Sequence, residues 1–285
     1  MKTLVTGSAR LDIAKKVGDS LAGRYFLYHM HPIDIKEAVN NFNISSKDAF
    51  NRILTVGGFP EPFLENNIGE YRRWKTTHSD IILKQDLIQL ETVEEIVKIE
   101  TLVELLRTRV GSTVSYANLA RDLEVAPKSV KRWLNILENL FVIFSLTPYY
   151  ENVSRSIRKS PKYYFYDSGM VQGDNGAKFE NLVALALKKE TDFRRDAFGE
   201  PLSMHFARNA EKEEIDFIIL EDKKIKAAIE CKWSDTAPHK GFKTIGVELG
   251  LKKGIQLVAE CEQEKMYPFG VEVMDGVRWL ERMEF

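Results

Sequence analysis

Cysteine, an excess of one charge and long apolar runs are all scarce in this sequence. Its 285 residues include two cysteines, Cys231 and Cys261, which are too few for a disulfide framework and fit a reducing compartment. No apolar run approaches the length of a membrane span, and the opening MKTLVTGSAR is too short and polar for a secretory signal. The net charge is -1, so nucleic acid would have to bind at a local basic patch. We expect a cytoplasmic protein without a membrane partner.

What the sequence does contain divides it into four segments. Residues 1–42 mix short apolar stretches with helical patterns and include a predicted strand at 25–30. Residues 43–110 are predicted to be mainly helical, around a loop at 56–63 that holds two glycines and two prolines. Residues 111–170 predict two helices and two strands, and residues 176–285 alternate helices with strands. The pattern favours an α/β protein with several domains.

The third segment has the order of a winged helix-turn-helix, in which two helices precede a β-hairpin. Ser115 can cap the first helix, and the second runs from about 128 to 139. Basic and hydroxyl side chains near the start of a recognition helix suit phosphates and base edges of DNA. The predicted DNA contacts are Lys128, Ser129, Lys131 and Arg132 on this helix, with Arg155, Arg158 and Lys159 on the wing. Winged helices also dock proteins, and a basic helix face is often only solvated, so both alternatives stay open.

In the fourth segment, two acids and a lysine lie near the ends of neighbouring predicted strands. Asp216 begins one apolar strand, while Glu230 and Lys232 end the next and share one face of it. A hairpin turning at 221–224 would bring all three together. Carboxylates can hold Mg²⁺ against a phosphate oxygen, and a lysine can help to activate or position the attacking water. One alternative is an ordinary ion pair at a strand end, and another is a nuclease-like domain that no longer cuts.

The surroundings of these residues resemble the restriction-endonuclease-like fold of the PD-(D/E)XK family. The predicted order is a helix with Glu180, a strand, the strand with Asp216, the strand with Glu230 and Lys232, a helix, and a strand with Gln256. The resemblance implies a Mg²⁺-dependent deoxyribonuclease. In such a site Asp216 and Glu230 would ligate the metal, Glu180 would ligate or orient it, and Lys232 would assist the water.

Several short motifs, in order, also resemble a set of prokaryotic AAA-type ATPases. They are TGSARL and SLAGR near the start, GGFPE at 57–61 and PKYYFYDSG at 161–169, so the resemblance covers essentially the whole chain. In those proteins the strand that ends at TGS is the sensor strand of the nucleotide-binding sheet. The resemblance therefore implies vestigial nucleotide contacts at Thr6, Ser8 and Arg24.

One feature of that family is missing from this sequence, the phosphate loop G-x-x-x-x-G-K-S/T. Without the loop there is no backbone cradle for phosphates and no hydroxyl for Mg²⁺, so we expect this chain alone to bind and hydrolyse ATP poorly. It is expected to be the C-terminal part of a longer ATPase. The predicted domains are an ATPase remnant at 1–42, a helical region at 43–110, a winged helix-turn-helix at 111–170 and a nuclease-like domain at 176–285.

Two functions follow from these patterns. The first is a DNA-associated protein whose nuclease-like domain cuts DNA with Mg²⁺. The second is a non-catalytic module that binds DNA or a protein partner, with a homo-oligomer as a further possibility.

Overall fold

The structure, a computed structural model, describes residues 4, 6–7, 25–79, 92–149 and 160–283. Thr6 lies within these ranges and is exposed. Five residues predicted to contact nucleotide or DNA lie outside these ranges, namely Ser8, Arg24, Arg155, Arg158 and Lys159. None of the helices in the described ranges combines the length and the apolar character that crossing a membrane requires.

Helices make up the first part of the described chain, and polar side chains cap several of them. Asp34 accepts a hydrogen bond from the Glu37 amide at 2.7 Å and so caps the start of the first helix. Thr92 and Glu95 form a capping box. The helices are α1 (Ile35–Phe42), α2 (Ser46–Val56), α3 (Pro60–Glu65), α4 (Ile68–Ser79) and α5 (Val93–Arg107).

The predicted strand at 25–30 is wrong, because these residues form neither helix nor strand. A strand needs a neighbour to accept its backbone hydrogen bonds, and none of the described residues pairs with this stretch. Side chains attach it instead. His29 Nδ1 lies 2.7 Å from Asp196 Oδ2, and His31 Nε2 lies 2.9 Å from Asp192 Oδ2.

Next come two helices and a two-stranded antiparallel sheet. Ser115 caps the first helix by accepting from the Asn118 amide, as predicted. The second helix buries Trp133, Leu134 and other apolar side chains on one face. An isolated antiparallel bridge joins Thr113 to the second strand. The elements are α6 (Tyr116–Asp122), α7 (Pro127–Asn139), β1 (Ile143–Leu146) and β2 (Lys162–Phe165).

The last part of the chain is a long helix and a mixed sheet of six described strands, in the order β3-β4-β5-β6-β8-β7. Strands β5, β6 and β8 run parallel, and the other pairs are antiparallel. The elements are α8 (Asn175–Phe198), β3 (Leu202–Arg208), β4 (Glu214–Glu221), β5 (Lys224–Lys232), α9 (Gly241–Glu248), β6 (Gly254–Val258), β7 (Lys265–Tyr267), β8 (Val271–Asp275) and α10 (Gly276–Arg282).

The hairpin between β4 and β5 turns where the sequence predicts it. Asp222 and Lys223 form the turn with φ of 47° and 65°. Two successive residues in the left-handed region give a turn whose twist matches that of the flanking strands. The turn and a register shift between the Leu220 and Ile219 pairs together set the register that places Asp216 next to the end of β5.

A continuous cluster of buried apolar side chains runs from α1 to α10 and includes both sheets. Polar contacts also fix β2 to α8 within it. The side chain of Asn181 accepts from the Phe165 amide at 2.8 Å and donates to the Phe165 carbonyl at 3.0 Å. This double hydrogen bond fixes where the side chains of β2 meet the larger sheet.

Candidate functional site

Asp216 and Glu230 lie side by side in the β4–β5 hairpin, and both are buried. The Asp216 amide donates to Glu230 Oε2 at 3.2 Å, and Asp216 Oδ2 accepts from the Cys231 amide at 3.0 Å. Lys232 Nζ lies 2.7 Å from Glu230 Oε1. The structure thus brings together the two acids and the lysine that the sequence places at the ends of these strands.

Glu180 reaches this group through a second lysine, Lys162 of β2. Lys162 Nζ lies 3.1 Å from Glu180 Oε1, 3.2 Å from Asp216 Oδ1 and 2.5 Å from Glu214 Oε1. The Tyr164 hydroxyl also donates to Glu180 Oε1, at 2.7 Å. A single fully buried ammonium therefore joins three carboxylates from α8 and β4. We call Lys162, Glu180, Glu214 and Asp216 the lysine–carboxylate cluster.

Lys162 and Glu214 are site residues that the sequence reasoning missed. One signal was present: Lys162 and Tyr164 alternate in the run KYYF and therefore share one strand face. All four residues of that run are buried. A buried lysine needs an anionic partner, so a lysine on such a strand predicts nearby carboxylates.

Burial and repulsion by the neighbouring Asp216 carboxylate shift the pKa values of Glu180 and Glu230. Burial, together with the charge of Asp216, raises the pKa of Glu180, and Lys162 offsets part of this. The same two causes raise the pKa of Glu230 well above its usual range. Burial alone would lower the pKa of Lys162, but the surrounding negative charges outweigh it and the pKa is raised. This shift favours the charged ammonium form of Lys162 at physiological pH.

The oxygens of Asp216 and Glu230 all have hydrogen-bond donors. Asp216 accepts from Lys162 and the Cys231 amide, and Glu230 accepts from Lys232 and the Asp216 amide. A Mg²⁺ ion needs several open oxygens in octahedral geometry. No group of three or more His, Cys, Asp or Glu side chains in the described ranges is arranged to hold a metal ion. In this arrangement the predicted ligands Asp216, Glu230 and Glu180 do not fit Mg²⁺ unless Lys162 moves.

Comparison with known proteins finds two matched regions, and they meet close to the start of helix α8. Residues 47–177 match a domain of unknown function, DUF8612, and residues 175–274 match a second one, DUF4143. Lys162 lies in the first region. Its three carboxylate partners lie in the second, so the lysine–carboxylate cluster joins the DUF8612 region to the DUF4143 region.

The curated relatives are uncharacterized proteins. One from Mycobacterium tuberculosis and one from Mycobacterium bovis are each 29% identical over 168 residues, which is 59% of this chain and 36% of the relative. One from Methanocaldococcus jannaschii is 24% identical over 242 residues, which is 77% of this chain and 53% of the relative. The chain thus spans about a third to a half of the length of these relatives. No solved structure matches.

Within the DUF4143 region, Gln256 of β6 orders the loop beside Glu230. Its buried side chain accepts from the His239 amide at 2.8 Å and donates to the carbonyls of Asp235 and Ala237, both at 2.9 Å. This holds His239 Nδ1 at 3.3 Å from Glu230 Oε1. Burial lowers the pKa of His239, so a neutral imidazole is favoured beside the carboxylate.

Within the DUF8612 region, the residues predicted to contact DNA differ in their surroundings. Lys128 and Lys131 are exposed on α7 and have no hydrogen-bond or ion-pair partner among the described residues, whereas Ser129 is half-buried. Arg132 pairs with Glu95 of α5. The free positive charge of this helix is therefore concentrated at Lys128 and Lys131.

Proposed function

We propose that this protein is a DNA-associated member of the AAA-type ATPase family that binds duplex DNA through α7 and carries a nuclease-like domain. The DUF4143 match supports the family, because that domain occurs in C-terminal regions associated with AAA ATPases. ATP binding is proposed for a longer family member that has a phosphate loop, with Thr6, Ser8 and Arg24 as the nucleotide contacts.

The order of elements around α7 supports a winged helix. Helix α5, the bridge at Thr113, helices α6 and α7, and the β1–β2 pair follow one another as the elements of such a domain do. Helix α7 is the second helix of the helix-turn-helix and takes the position of a recognition helix. Its buried face packs into the core, which leaves the opposite face for DNA.

The observation that carries DNA binding is the exposed pair of lysines on α7. Lys128 and Lys131 are three residues apart, so they lie on one face of the helix. Lysine side chains without an acidic partner can neutralise phosphates and release their counterions. The net charge of -1 makes such a local patch the feature that would direct DNA to this face.

A double substitution of these lysines tests the proposal. We expect Lys128→Ala/Lys131→Ala to weaken binding to a 25-base-pair duplex by about 10-fold, and to lower the slope of log affinity against log salt by about 2, because two phosphate contacts are lost. Fluorescence anisotropy between 50 and 200 mM salt measures both quantities.

The matched control is Lys252→Ala/Lys253→Ala, which removes two exposed lysines from the loop before β6. We expect it to bind DNA as the wild type does. Equal affinities for the wild type and the α7 variant, or no binding by the wild type at 50 mM salt, would contradict the proposal.

DNA cleavage is a second candidate function, favoured by the convergence of Asp216, Glu230 and Lys232 with Glu180 nearby. The order of a helix, three strands, a helix and a strand also supports a PD-(D/E)XK-like domain. The lysine–carboxylate cluster favours the non-cleaving alternative, because Lys162 already neutralises the acids that would hold Mg²⁺.

A plasmid-nicking assay separates these two functions. We expect the wild type with 5 mM Mg²⁺ to nick supercoiled DNA no faster than a Glu230→Gln variant. A wild-type rate at least 10-fold above that of Glu230→Gln would instead establish the metal-dependent nuclease.

A further inference from the structure

The position of the Lys162 ammonium is the most unusual feature of the lysine–carboxylate cluster. The side chain is fully buried, and its Nζ lies 2.5–3.2 Å from oxygens of Glu180, Glu214 and Asp216. Removing a charged group from water is costly and is tolerated only when partners compensate for the lost hydration. Here three carboxylates on two different elements converge on one ammonium, and with it in place they do not form a metal-binding group.

The backbone around the cluster is shaped to admit this arrangement. Gly111 has φ +75°, and a Cβ atom added to it would lie 2.4 Å from Glu180 Oε2. Any side chain at this position would therefore displace the carboxylate. Arg208 donates to Thr113 Oγ1 at 3.0 Å and so fastens the same loop to β3. The loop closes over Glu180 from the DUF8612 side, while β2 supplies the lysine.

We propose that Lys162 is a built-in cation that occupies a latent divalent-cation site formed by Glu180, Glu214 and Asp216. This deepens the proposed nuclease-like domain by stating what keeps it free of metal. Lys162 belongs to the DUF8612 region and the carboxylates to the DUF4143 region. The first region thereby controls whether the second can bind a metal ion.

The charges of the cluster predict different divalent-cation binding by the wild type and by a variant without the lysine. With Lys162 in place, a divalent ion must displace an ammonium that contacts three carboxylates, and its binding is weak. With methionine in place, a side chain of similar length fills the volume but leaves the three acids without the cation they share, and Arg208 remains 3.8 Å from Glu214 Oε2. Mn²⁺ can then take the vacated position with carboxylate ligands.

Mn²⁺ alone is the probe for this test, used with the full chain at pH 7.5. We expect 5 mM Mn²⁺ to raise the melting temperature of Lys162→Met by about 4 °C or more, and that of the wild type by less than about 1 °C. Isothermal titration should show at least a 10-fold tighter Mn²⁺ affinity for Lys162→Met than for the wild type. The Lys162→Arg variant keeps the positive charge and is expected to respond as the wild type does.

A second variant tests the ligands. Lys162→Met/Asp216→Asn removes both a positive and a negative charge, so it is expected to fold without metal and to lose the Mn²⁺ response. Should Lys162→Met fail to fold without metal, recovery of its native circular dichroism on refolding with Mn²⁺ supports the proposal.

Three results would overturn the proposal. They are a wild type that binds Mn²⁺ as tightly as Lys162→Met, a folded Lys162→Met without a Mn²⁺ response, and a Lys162→Met that stays unfolded with and without Mn²⁺. DNA binding by Lys128 and Lys131 is measured without Mn²⁺, so failure of the α7 proposal and failure of this one are distinguishable.

Discussion

Replacing Lys162 with methionine is expected to lower the free energy of unfolding by about 3–5 kcal/mol at pH 8, because removing one partner of a buried ion pair leaves uncompensated charge. The lysine is fully buried and contacts the carboxylates of Glu180, Glu214 and Asp216. Methionine fills a similar volume, so the loss reports on charge and not on a cavity. Urea denaturation monitored by circular dichroism measures it.

The same variant should lose much less stability near pH 5. Burial already raises the pKa of Glu180 and Glu214 in the folded wild type, and loss of the lysine raises both further. A carboxyl group with a higher pKa in the folded state binds more protons there than in the unfolded state. Stability therefore falls as the pH rises above the unfolded pKa of about 4.3. The difference between wild type and variant should grow from pH 5 to pH 8.

Lys98→Met is the matched control for this prediction. Lys98 pairs with Glu94 at 3.6 Å on the exposed side of α5, and such surface pairs contribute about 0.5 kcal/mol or less. We expect this control to change little at either pH. A Lys162→Met loss below 1 kcal/mol, or an equal loss at pH 5 and pH 8, would show that the cluster does not hold buried charges in the way described.

Replacing Asn181 with alanine is expected to cost about 3 kcal/mol. The fully buried amide accepts from the Phe165 amide, donates to the Phe165 carbonyl and donates to Ser168 Oγ at 3.1 Å. Alanine would leave buried backbone groups without partners, and each such group costs about 1–3 kcal/mol. Chemical denaturation measures the loss, and hydrogen exchange should show much faster exchange of the Phe165 amide.

The control for this prediction is Asn139→Ala, at the exposed last residue of α7. A surface substitution of this kind is expected to stay within about 0.5 kcal/mol of the wild type. An Asn181→Ala protein within 1 kcal/mol of the wild type would mean that packing alone holds β2 on α8. The same experiment bears on Lys162, since it lies three residues before Phe165 on that strand.

The connections between the two matched regions are polar as well as apolar. Asn181 holds the backbone of β2, Lys162 holds the carboxylates, and the Tyr149 amide donates to the Phe206 carbonyl at 2.6 Å. Polar contacts of this kind specify one relative placement more strictly than apolar packing does. Helix α7 and the lysine–carboxylate cluster are thereby parts of one connected structure.

Local patterns in the sequence were sufficient for the β4–β5 hairpin and for α7. Alternation along two apolar runs and a polar turn predicted that Asp216, Glu230 and Lys232 would meet, and the structure brings them together. The polar caps at Asp34 and Ser115 also follow from neighbouring residues. In each case the interacting groups are close in sequence or belong to one hairpin, so periodicity and turn chemistry bring them together to within the register shift that this hairpin contains.

At residues 25–30 the sequence pattern predicted a strand that the structure does not contain. Its apolar and aromatic residues have high strand propensity, yet no described residue pairs with it and several of its side chains are exposed. Strand propensity measures how well side chains fit a sheet that already exists. Whether a sheet is present at that point depends on elements elsewhere in the chain.

By itself, the sequence determined the types of its main elements, the hairpin that unites Asp216 with Glu230, and the exposed lysines of α7. Only the tertiary structure decided what neutralises the acids. Lys162 lies 18 residues before Glu180 and 54 before Asp216, and no periodicity relates residues so far apart. The charge of a buried site depends on every element that meets there, whereas a hairpin depends on the two strands that form it.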